Sequence, residues 1–219
     1  MGKADRIRNI ALLGHSSCGK TSLAEAMLFA AGATSRKGDP SAGTSILDFE
    51  EEEREKKITI NAATAFLTWR DHTIHLVDLP GYLDFLGEMT CGLMPVETAI
   101  LCIDLAAGIK VTTRKAWTLM NQMGVARTIV LTKVDQEPDK IAEIANQIRE
   151  AFGNACVLAA HYDGKTVTPL IDGGPEEMRT TFIEKIVETD EDLMEKYLGG
   201  EEVSRDELLV ALRKAIKNG

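Results

Sequence analysis

The sequence predicts an α/β fold with a mostly parallel, doubly wound sheet that is flanked by helices. Short apolar runs of strand length alternate along the chain with longer segments of helical character. Most links between these segments are short, and strands that alternate with helices over short links form parallel sheets. From about residue 160 the composition changes to charged amphipathic segments, which predicts a short helical appendage.

The first strand is predicted over Ile7–Leu13, an apolar run that ends at Gly14. A helix rich in Ala, Leu and Met is predicted over Thr21–Ala31. Ala33–Lys57 has little apolar periodicity, and a connection of this length is usually functional or disordered. We interpret its acidic run, Glu50–Glu53, as a solvated part of this loop.

Beyond this loop the alternation continues. The predicted strands are Ile58–Trp69, Thr73–Val77, Thr98–Ile103 and Thr128–Leu131, and the predicted helices are Tyr82–Leu93, Val111–Met123 and Asp139–Phe152. One more short apolar run, Ala155–Ala160, follows them. We therefore expect one domain over residues 1–159 and an appendage over residues 160–219. The appendage is predicted to contain an extended segment over Lys165–Ile171 and helices over Glu176–Tyr197 and Ser204–Lys217, with a capping box from Ser204 to Glu207.

The composition excludes several classes of protein. The chain has 25 basic and 34 acidic residues, a formal charge of −9. This balance argues against a general nucleic-acid-binding surface, because phosphate neutralisation needs clustered Lys and Arg, and we expect no DNA partner. Four widely spaced cysteines without a Cys-x-x-Cys pair argue against structural zinc and suit a reducing compartment. With no apolar leader core and no apolar run near the roughly 18 residues of a membrane span, we expect a cytoplasmic monomer.

The segment between the first strand and the first helix matches Gly-x-x-x-x-Gly-Lys-Ser/Thr in full. Its residues are Gly14, His15, Ser16, Ser17, Cys18, Gly19, Lys20 and Thr21. In a strand-to-helix turn this pattern is the P-loop, whose glycines let successive N–H groups point at phosphate oxygens. The helix N-terminus adds partial positive charge, Lys20 reaches the β- and γ-phosphates, and the Thr21 hydroxyl binds Mg²⁺. The sequence therefore predicts a nucleotide site here.

Asp78-Leu79-Pro80-Gly81 follows the strand predicted over Thr73–Val77. Taken alone this tetrapeptide is an ordinary Asp-Pro-Gly turn. Next to a P-loop, an Asp at a strand end is the expected support for Mg²⁺ behind its direct ligands, and Gly81 would place an N–H at the γ-phosphate.

Two further segments are candidates for the same site. Thr132-Lys133-Val134-Asp135 ends another apolar strand. In GTPases a carboxylate here accepts from the guanine N1–H and amino group; the alternative is a solvated Lys-x-Asp. Thr59, after the long loop, is a candidate second hydroxyl ligand for Mg²⁺ that the γ-phosphate would order. By itself Thr59 fits better as a β-branched residue in a strand.

These motifs resemble the GTP-binding domain of elongation factor G, and more narrowly the bacterial elongation-factor-G-like paralogues. The resemblance extends over essentially the whole chain and includes Arg6–Ile10, Glu53–Ile60 and Asp78–Phe85. Glu188–Leu198 is similar to the helical part of that family's insert subdomain, for which Ala160–Pro175 is short. The resemblance implies a P-loop NTPase fold, GTP or GDP as ligand, Mg²⁺ as cofactor and the ribosome as partner.

The sequence departs from the family pattern at several positions. Tyr82 stands where the family has the His that orients the attacking water. Ser17 replaces an Asp, Thr132 replaces an Asn, and Lys56-Lys57 replaces Arg-Gly. Tyr82 and Thr132 together resemble the paralogues rather than the translocase. The chain ends at Gly219, before the strand and the ribosome-contacting domains that the resemblance implies, and the sequence leaves open whether it is a fragment or naturally short.

From the motifs and the resemblance we predict Mg²⁺-dependent GTP hydrolysis coupled to the ribosome. The predicted catalytic positions are Lys20, Gly81 and Tyr82, and the predicted metal-site residues are Thr21, Thr59 and Asp78. The predicted nucleotide-binding residues are 14–21, 78–82, Thr132, Lys133 and Asp135. One alternative is a nucleotide-dependent binding switch with little catalysis, because a phenol is a poor substitute for the His. A P-loop ATPase or kinase is disfavoured by Lys133-x-Asp135.

Overall fold

The structure is a computed structural model that describes residues 4–218. The chain divides into two compact units, which are separated in the sequence between Thr132 and Lys133. This division falls earlier than the boundary between residues 159 and 160 that we expect from the sequence. The assignment of residues 1–159 as the GTP-binding domain and 160–219 as an insert subdomain remains a prediction.

A five-stranded, mostly parallel sheet forms the centre of the first unit. Its strands are β1 (Ile7–Gly14), β2 (Ala63–Trp69), β3 (His72–Asp78), β4 (Thr98–Asp104) and β5 (Ala126–Thr132). They lie in the order β2-β3-β1-β4-β5, and only β2 runs antiparallel to its neighbour. The carboxyl ends of β1, β3, β4 and β5 therefore emerge at one edge of the sheet, where ligands of such sheets bind. The predicted fold class is confirmed.

The α-helices of the first unit are α1 (Lys20–Ala30), α2 (Glu51–Lys56), α3 (Leu86–Leu93) and α4 (Val111–Met123). α1 contacts β1, β2 and β3, and its Ala24 and Leu28 share a buried cluster with Leu12 of β1. Because side chains alternate across a strand, the buried Ala11 and Leu13 of β1 point to the opposite face. α3 and α4 contact β1 and each other.

Three predictions for the first unit are wrong in detail. The strand predicted over Ile58–Trp69 begins only at Ala63, because the backbone just before it is bonded to a carboxylate of the preceding loop. The loop predicted over Ala33–Lys57 contains the short helix α2. Within the acidic run that was expected to be solvated, Glu53 is fully buried.

The second unit combines a small hairpin with four helices in its described part. Its elements are α5 (Ile141–Phe152), β6 (Ala160–Tyr162), β7 (Val167–Pro169), α6 (Glu176–Val187), α7 (Glu191–Leu198) and α8 (Arg205–Asn218). The single helix predicted over Glu176–Tyr197 is in fact two, because Asp190 leaves the helical conformation and its side chain caps α7. Phe182, Leu193 and Leu208 share one buried cluster. Nowhere in residues 4–218 is a helix both long and apolar enough to cross a membrane.

The capping box predicted at the start of α8 is present. The Ser204 N–H donates to Glu207 Oε2 at 2.8 Å, and the Glu207 N–H donates to Ser204 Oγ at 3.4 Å. Lys196 Nζ on α7 also donates to Glu207 Oε1 at 2.8 Å. The Lys196 hydrogen bond, followed by those from Ser204, lowers the pKa of Glu207 to about 2.

This shift predicts how the stability of the second unit depends on pH. A carboxyl group whose folded pKa is lowered contributes stability above its unfolded pKa, and that contribution disappears as the pH falls through the folded pKa. We expect Glu207→Gln to remove the contribution, so that the variant loses less stability than wild type between pH values of about 4.5 and about 2. Urea unfolding followed by circular dichroism at several pH values measures this difference. Parallel pH profiles for the two proteins would contradict the assignment.

Candidate nucleotide-binding site

The loop between β1 and α1 has the backbone of an anion cradle. Gly14, Ser17 and Gly19 have φ angles of 141°, 61° and 91°. A Cβ on Gly14 would collide with the carbonyl oxygen of Cys102 on β4. The backbone at the start of the loop therefore lies too close to β4 for any side chain. The helix begins at Lys20, and N–H groups in its first turn have no partners within the helix. These groups and the positive end of the helix favour a bound anion.

Lys20 lies against its own loop. Its side chain is buried, and Nζ donates to the His15 carbonyl at 3.0 Å. Gly81 approaches the same place, since a Cβ added there would lie 2.5 Å from the Ser16 nitrogen and 2.7 Å from Lys20 Nζ. The structure thus brings two predicted catalytic positions, Lys20 and Gly81, into contact with the P-loop backbone.

The predicted metal-site residues converge beside this loop. Thr21 Oγ1 donates to Asp78 Oδ2 at 2.6 Å, and Thr59 Oγ1 donates to Asp48 Oδ1 at 3.0 Å. The two hydroxyl oxygens lie 3.2 Å apart. Either hydroxyl can donate to the other, but each carries one proton, so the two threonines cannot bond their carboxylates and each other with the same protons. A cation bound by both oxygens would need neither proton.

Asp78 provides the second test of whether a cation fits. Its side chain is 0% exposed, and Oδ1 has no hydrogen-bond partner within the described part of the chain. Burial, opposed by the charge of Lys20, raises the pKa of Asp78 to about 6. A buried acceptor without a donor is costly, and a nearby cation satisfies it. Mg²⁺ prefers oxygen ligands and keeps part of its water shell, so these residues fit that ion.

Glu53 is a residue of this region that sequence reasoning missed. Its Oε1 accepts from the N–H groups of Ile60 and Asn61 at 2.9 and 3.0 Å, and its Oε2 accepts from the Glu50 N–H at 3.0 Å. Glu53 therefore fixes the backbone directly after Thr59. Its neighbours in the acidic run are exposed, and the run has no apolar periodicity that would mark the one residue that turns inward.

The side chain of Thr132, at the end of β5, contacts the P-loop. Its hydroxyl donates to the Cys18 carbonyl at 2.6 Å and lies 3.3 Å from the Ile103 carbonyl. The Thr at the family's Asn position thus ties β5 to the loop within the first unit. Whether it also contacts a base remains a prediction.

The other two residues of that motif begin the second unit. Lys133 has a φ angle of 56°, and its carbonyl accepts from the Gln136 N–H at 3.1 Å. Asp135 is exposed in this turn. Base contacts by Lys133 and Asp135 remain predictions.

Tyr82 follows the buried part of the turn after β3. Leu79 and Pro80 are buried, whereas the Tyr82 side chain is 40% exposed. Tyr82 is therefore not part of the buried core. A catalytic role for Tyr82 remains a prediction.

A P-loop that leaves the central parallel strand and faces an Asp at the end of the adjacent strand defines a nucleoside-triphosphate-binding domain. The family model described as the elongation factor Tu GTP binding domain matches residues 5–213. The chain therefore belongs to that family and is the GTP-binding domain of a translational GTPase.

Individual relatives agree with this membership. The chain is 35% identical to an elongation factor G-like protein from two strains of Mycobacterium tuberculosis, CDC 1551 / Oshkosh and ATCC 25618 / H37Rv. The match covers 97% of this chain and 33% of each relative, so the chain spans about a third of their length.

Solved structures show the same fold. A crystal structure of a protein from Thermus thermophilus superposes with a TM-score of 0.88 at 33% identity and covers all of this chain and 36% of the other. A bacterial selenocysteine-specific elongation factor matches with a TM-score of 0.54 at 22% identity over 67% of this chain and 24% of the other. The second match shows the fold alone.

The Thr132 contact predicts a measurable effect on the P-loop. Thr132→Val keeps the shape of the side chain but leaves the Cys18 carbonyl without its hydroxyl donor, a loss of about 1 kcal/mol. We expect nucleotide affinity to fall roughly fivefold while the fold is retained. Thr132→Ser keeps the hydroxyl and is the matched control. Titration with a fluorescent GDP analogue measures the affinity of each variant, and thermal unfolding shows whether the fold is retained. Equal affinity of the Val variant and wild type would show that the Thr132 hydrogen bond does not organise the loop.

Proposed function

We propose that the chain binds GTP and GDP together with Mg²⁺ and hydrolyses GTP as part of a factor that acts on the ribosome. The convergence of Thr21, Thr59 and Asp78 next to the P-loop lysine carries the proposal. Family membership supports guanine as the base, and the elongation-factor names of the relatives support the ribosome as partner. The cytoplasmic location stays a prediction from sequence.

The proposed chemistry is phosphoryl transfer to water, in which the protein acts mainly by positioning and electrostatics. Lys20 and the loop N–H groups bind the phosphates and offset their charge. When bound, Mg²⁺ would be held by the hydroxyls of Thr21 and Thr59 with Asp78 behind them, and would neutralise charge on phosphate oxygens. The Gly81 N–H, held against the P-loop, adds a donor, and Tyr82 orients the attacking water.

Removal of the P-loop lysine tests nucleotide binding. Lys20→Ala deletes a charge-assisted contact of roughly 1.5–3 kcal/mol, so affinity should fall roughly 10- to 150-fold. Lys115→Ala, an exposed lysine on α4, is the matched control and should bind like wild type. The measurement is titration with a fluorescent GDP analogue in the presence of Mg²⁺.

Two outcomes of this titration would contradict the proposal. Unchanged affinity in Lys20→Ala would remove the P-loop assignment. Displacement of the analogue by ATP as effectively as by GTP would favour a P-loop ATPase or kinase.

A second candidate function is a nucleotide-dependent binding switch with little catalysis. The observation that favours it is Tyr82, which is exposed and stands at the position of the family His. An imidazole can bind a water and carry positive charge near neutral pH. A phenol offers a hydroxyl dipole alone, which stabilises transition-state charge less.

Single-turnover GTP hydrolysis separates the two candidates. We expect slow hydrolysis by wild type and no faster hydrolysis by Tyr82→His when each is alone. With ribosomes and the full-length protein, the His variant should gain roughly tenfold, about 1.4 kcal/mol. Affinities measured in parallel ensure that both proteins are saturated. If wild type already matches the His variant on ribosomes, Tyr82 is competent and the binding-switch candidate loses its main support.

A further inference from the structure

Glu25 is a buried carboxylate outside all the nucleotide-binding motifs. It lies on α1, is 0% exposed, and accepts three hydrogen bonds from the loop that follows the helix. Oε2 accepts from the Gly38 N–H at 3.1 Å, and Oε1 accepts from Ser45 Oγ at 2.8 Å and the Ile46 N–H at 2.7 Å. A buried carboxylate is costly unless it is hydrogen-bonded, so these contacts compensate its desolvation. They also fix the loop to the helix.

The hydrogen bonds continue from Glu25 toward the metal-site residues. Ser45 Oγ accepts from the Asp48 N–H at 3.3 Å, and Asp48 Oδ1 accepts from Thr59 Oγ1 at 3.0 Å. Thr59 Oγ1 lies 3.2 Å from Thr21 Oγ1. Except for the half-buried Thr59, every residue of this chain of contacts is buried. This series of contacts therefore begins and ends on α1. Its two end residues, Glu25 and Thr21, are one helical turn apart.

Gly38 shows how closely the loop fits the carboxylate. A Cβ added at Gly38 would lie 2.5 Å from Glu25 Oε2. Gly38 is not among the glycines with a positive φ angle, so close approach rather than backbone conformation requires glycine here. Gly38→Ala is thus a way to displace the carboxylate without removing it.

We propose that Glu25 is a positioning residue that holds residues 38–61, here termed the switch segment, so that the Thr59 hydroxyl stays beside Thr21. This inference rests on the proposed function, because it assumes a site for GTP and Mg²⁺. Without the anchor, the segment must be ordered when GTP binds, and that ordering reduces GTP affinity. GDP lacks the γ-phosphate that uses Thr59, so its affinity changes little. Glu25 therefore increases the preference for GTP over GDP.

The test compares affinities for GDP and for a non-hydrolysable GTP analogue, with Mg²⁺, in wild type and two variants. Glu25→Gln turns one acceptor oxygen into a donor, so a charged acceptor and one bond are lost. We expect the affinity for the GTP analogue to fall about tenfold relative to that for GDP. Gly38→Ala should change the ratio in the same direction. Gly173→Ala, at a glycine in the second unit that accepts a Cβ in ordinary contact, is the matched control and should leave the ratio unchanged.

Hydrogen exchange of the nucleotide-free protein gives a second readout. Amides of residues 45–60 should exchange faster in Glu25→Gln than in wild type, while those of α4 keep their rates. An equal fall in affinity for both nucleotides, or a lower melting temperature with an unchanged ratio of the two affinities, would show that Glu25 is only a structural residue. Either result would overturn the inference. Unchanged exchange in the switch segment would also overturn it. If wild type binds neither nucleotide, the proposed function itself fails, and that result is separate from any change in exchange.

Discussion

The hydrogen bond between Thr21 and Asp78 is the contact on which the rest of the site depends. It joins the first turn of α1, the helix that follows β1, to the carboxyl end of β3, the strand that pairs with β1. Because the bond is short and buried, it fixes the P-loop relative to the turn that carries Gly81. The other oxygen of Asp78, Oδ1, has no hydrogen-bond partner within the described residues, and the Thr21 hydroxyl that bonds Oδ2 lies 3.2 Å from the Thr59 hydroxyl. One interaction therefore sets both the phosphate cradle and the cation position.

Much of this arrangement could be predicted from the sequence, because the motifs record local backbone requirements. The glycines of the P-loop need conformations and close approaches that the structure shows at Gly14 and Gly19, so their spacing alone indicates the loop. Parallel strands end at one edge of the sheet, which is why Asp78, at the end of a predicted strand, could be expected at the same edge as the P-loop.

The parts that could not be predicted depend on particular hydrogen bonds. Glu25 and Glu53 look like surface residues, since an amphipathic pattern cannot show that another segment will place its N–H groups against a carboxylate. The break before α7 depends on a single cap, Asp190, which competes with continuous helical propensity on either side. The Thr132 hydroxyl donates to the Cys18 carbonyl, a contact that its place in the predicted base-reading motif does not indicate. In each case one specific hydrogen-bond partner, rather than the periodicity of the sequence, decides what the side chain does.

Anchoring at a few points also determines where the loop after α1 can vary in length. The contacts of Glu25 and Glu53 fix Gly38, Ser45–Ile46 and Ile60–Asn61, and a mostly exposed stretch of backbone lies between the first two of these points. This stretch is a short turn, Pro40–Ala42, closed by hydrogen bonds within residues 39–44, and lengthening a loop between two fixed points is inexpensive, about 0.6 kcal/mol for each doubling. Insertions between residues 39 and 44 would therefore disturb Thr59 less than a single methyl group at Gly38 would. Sites for a reporter peptide or a spectroscopic label can be chosen on that basis.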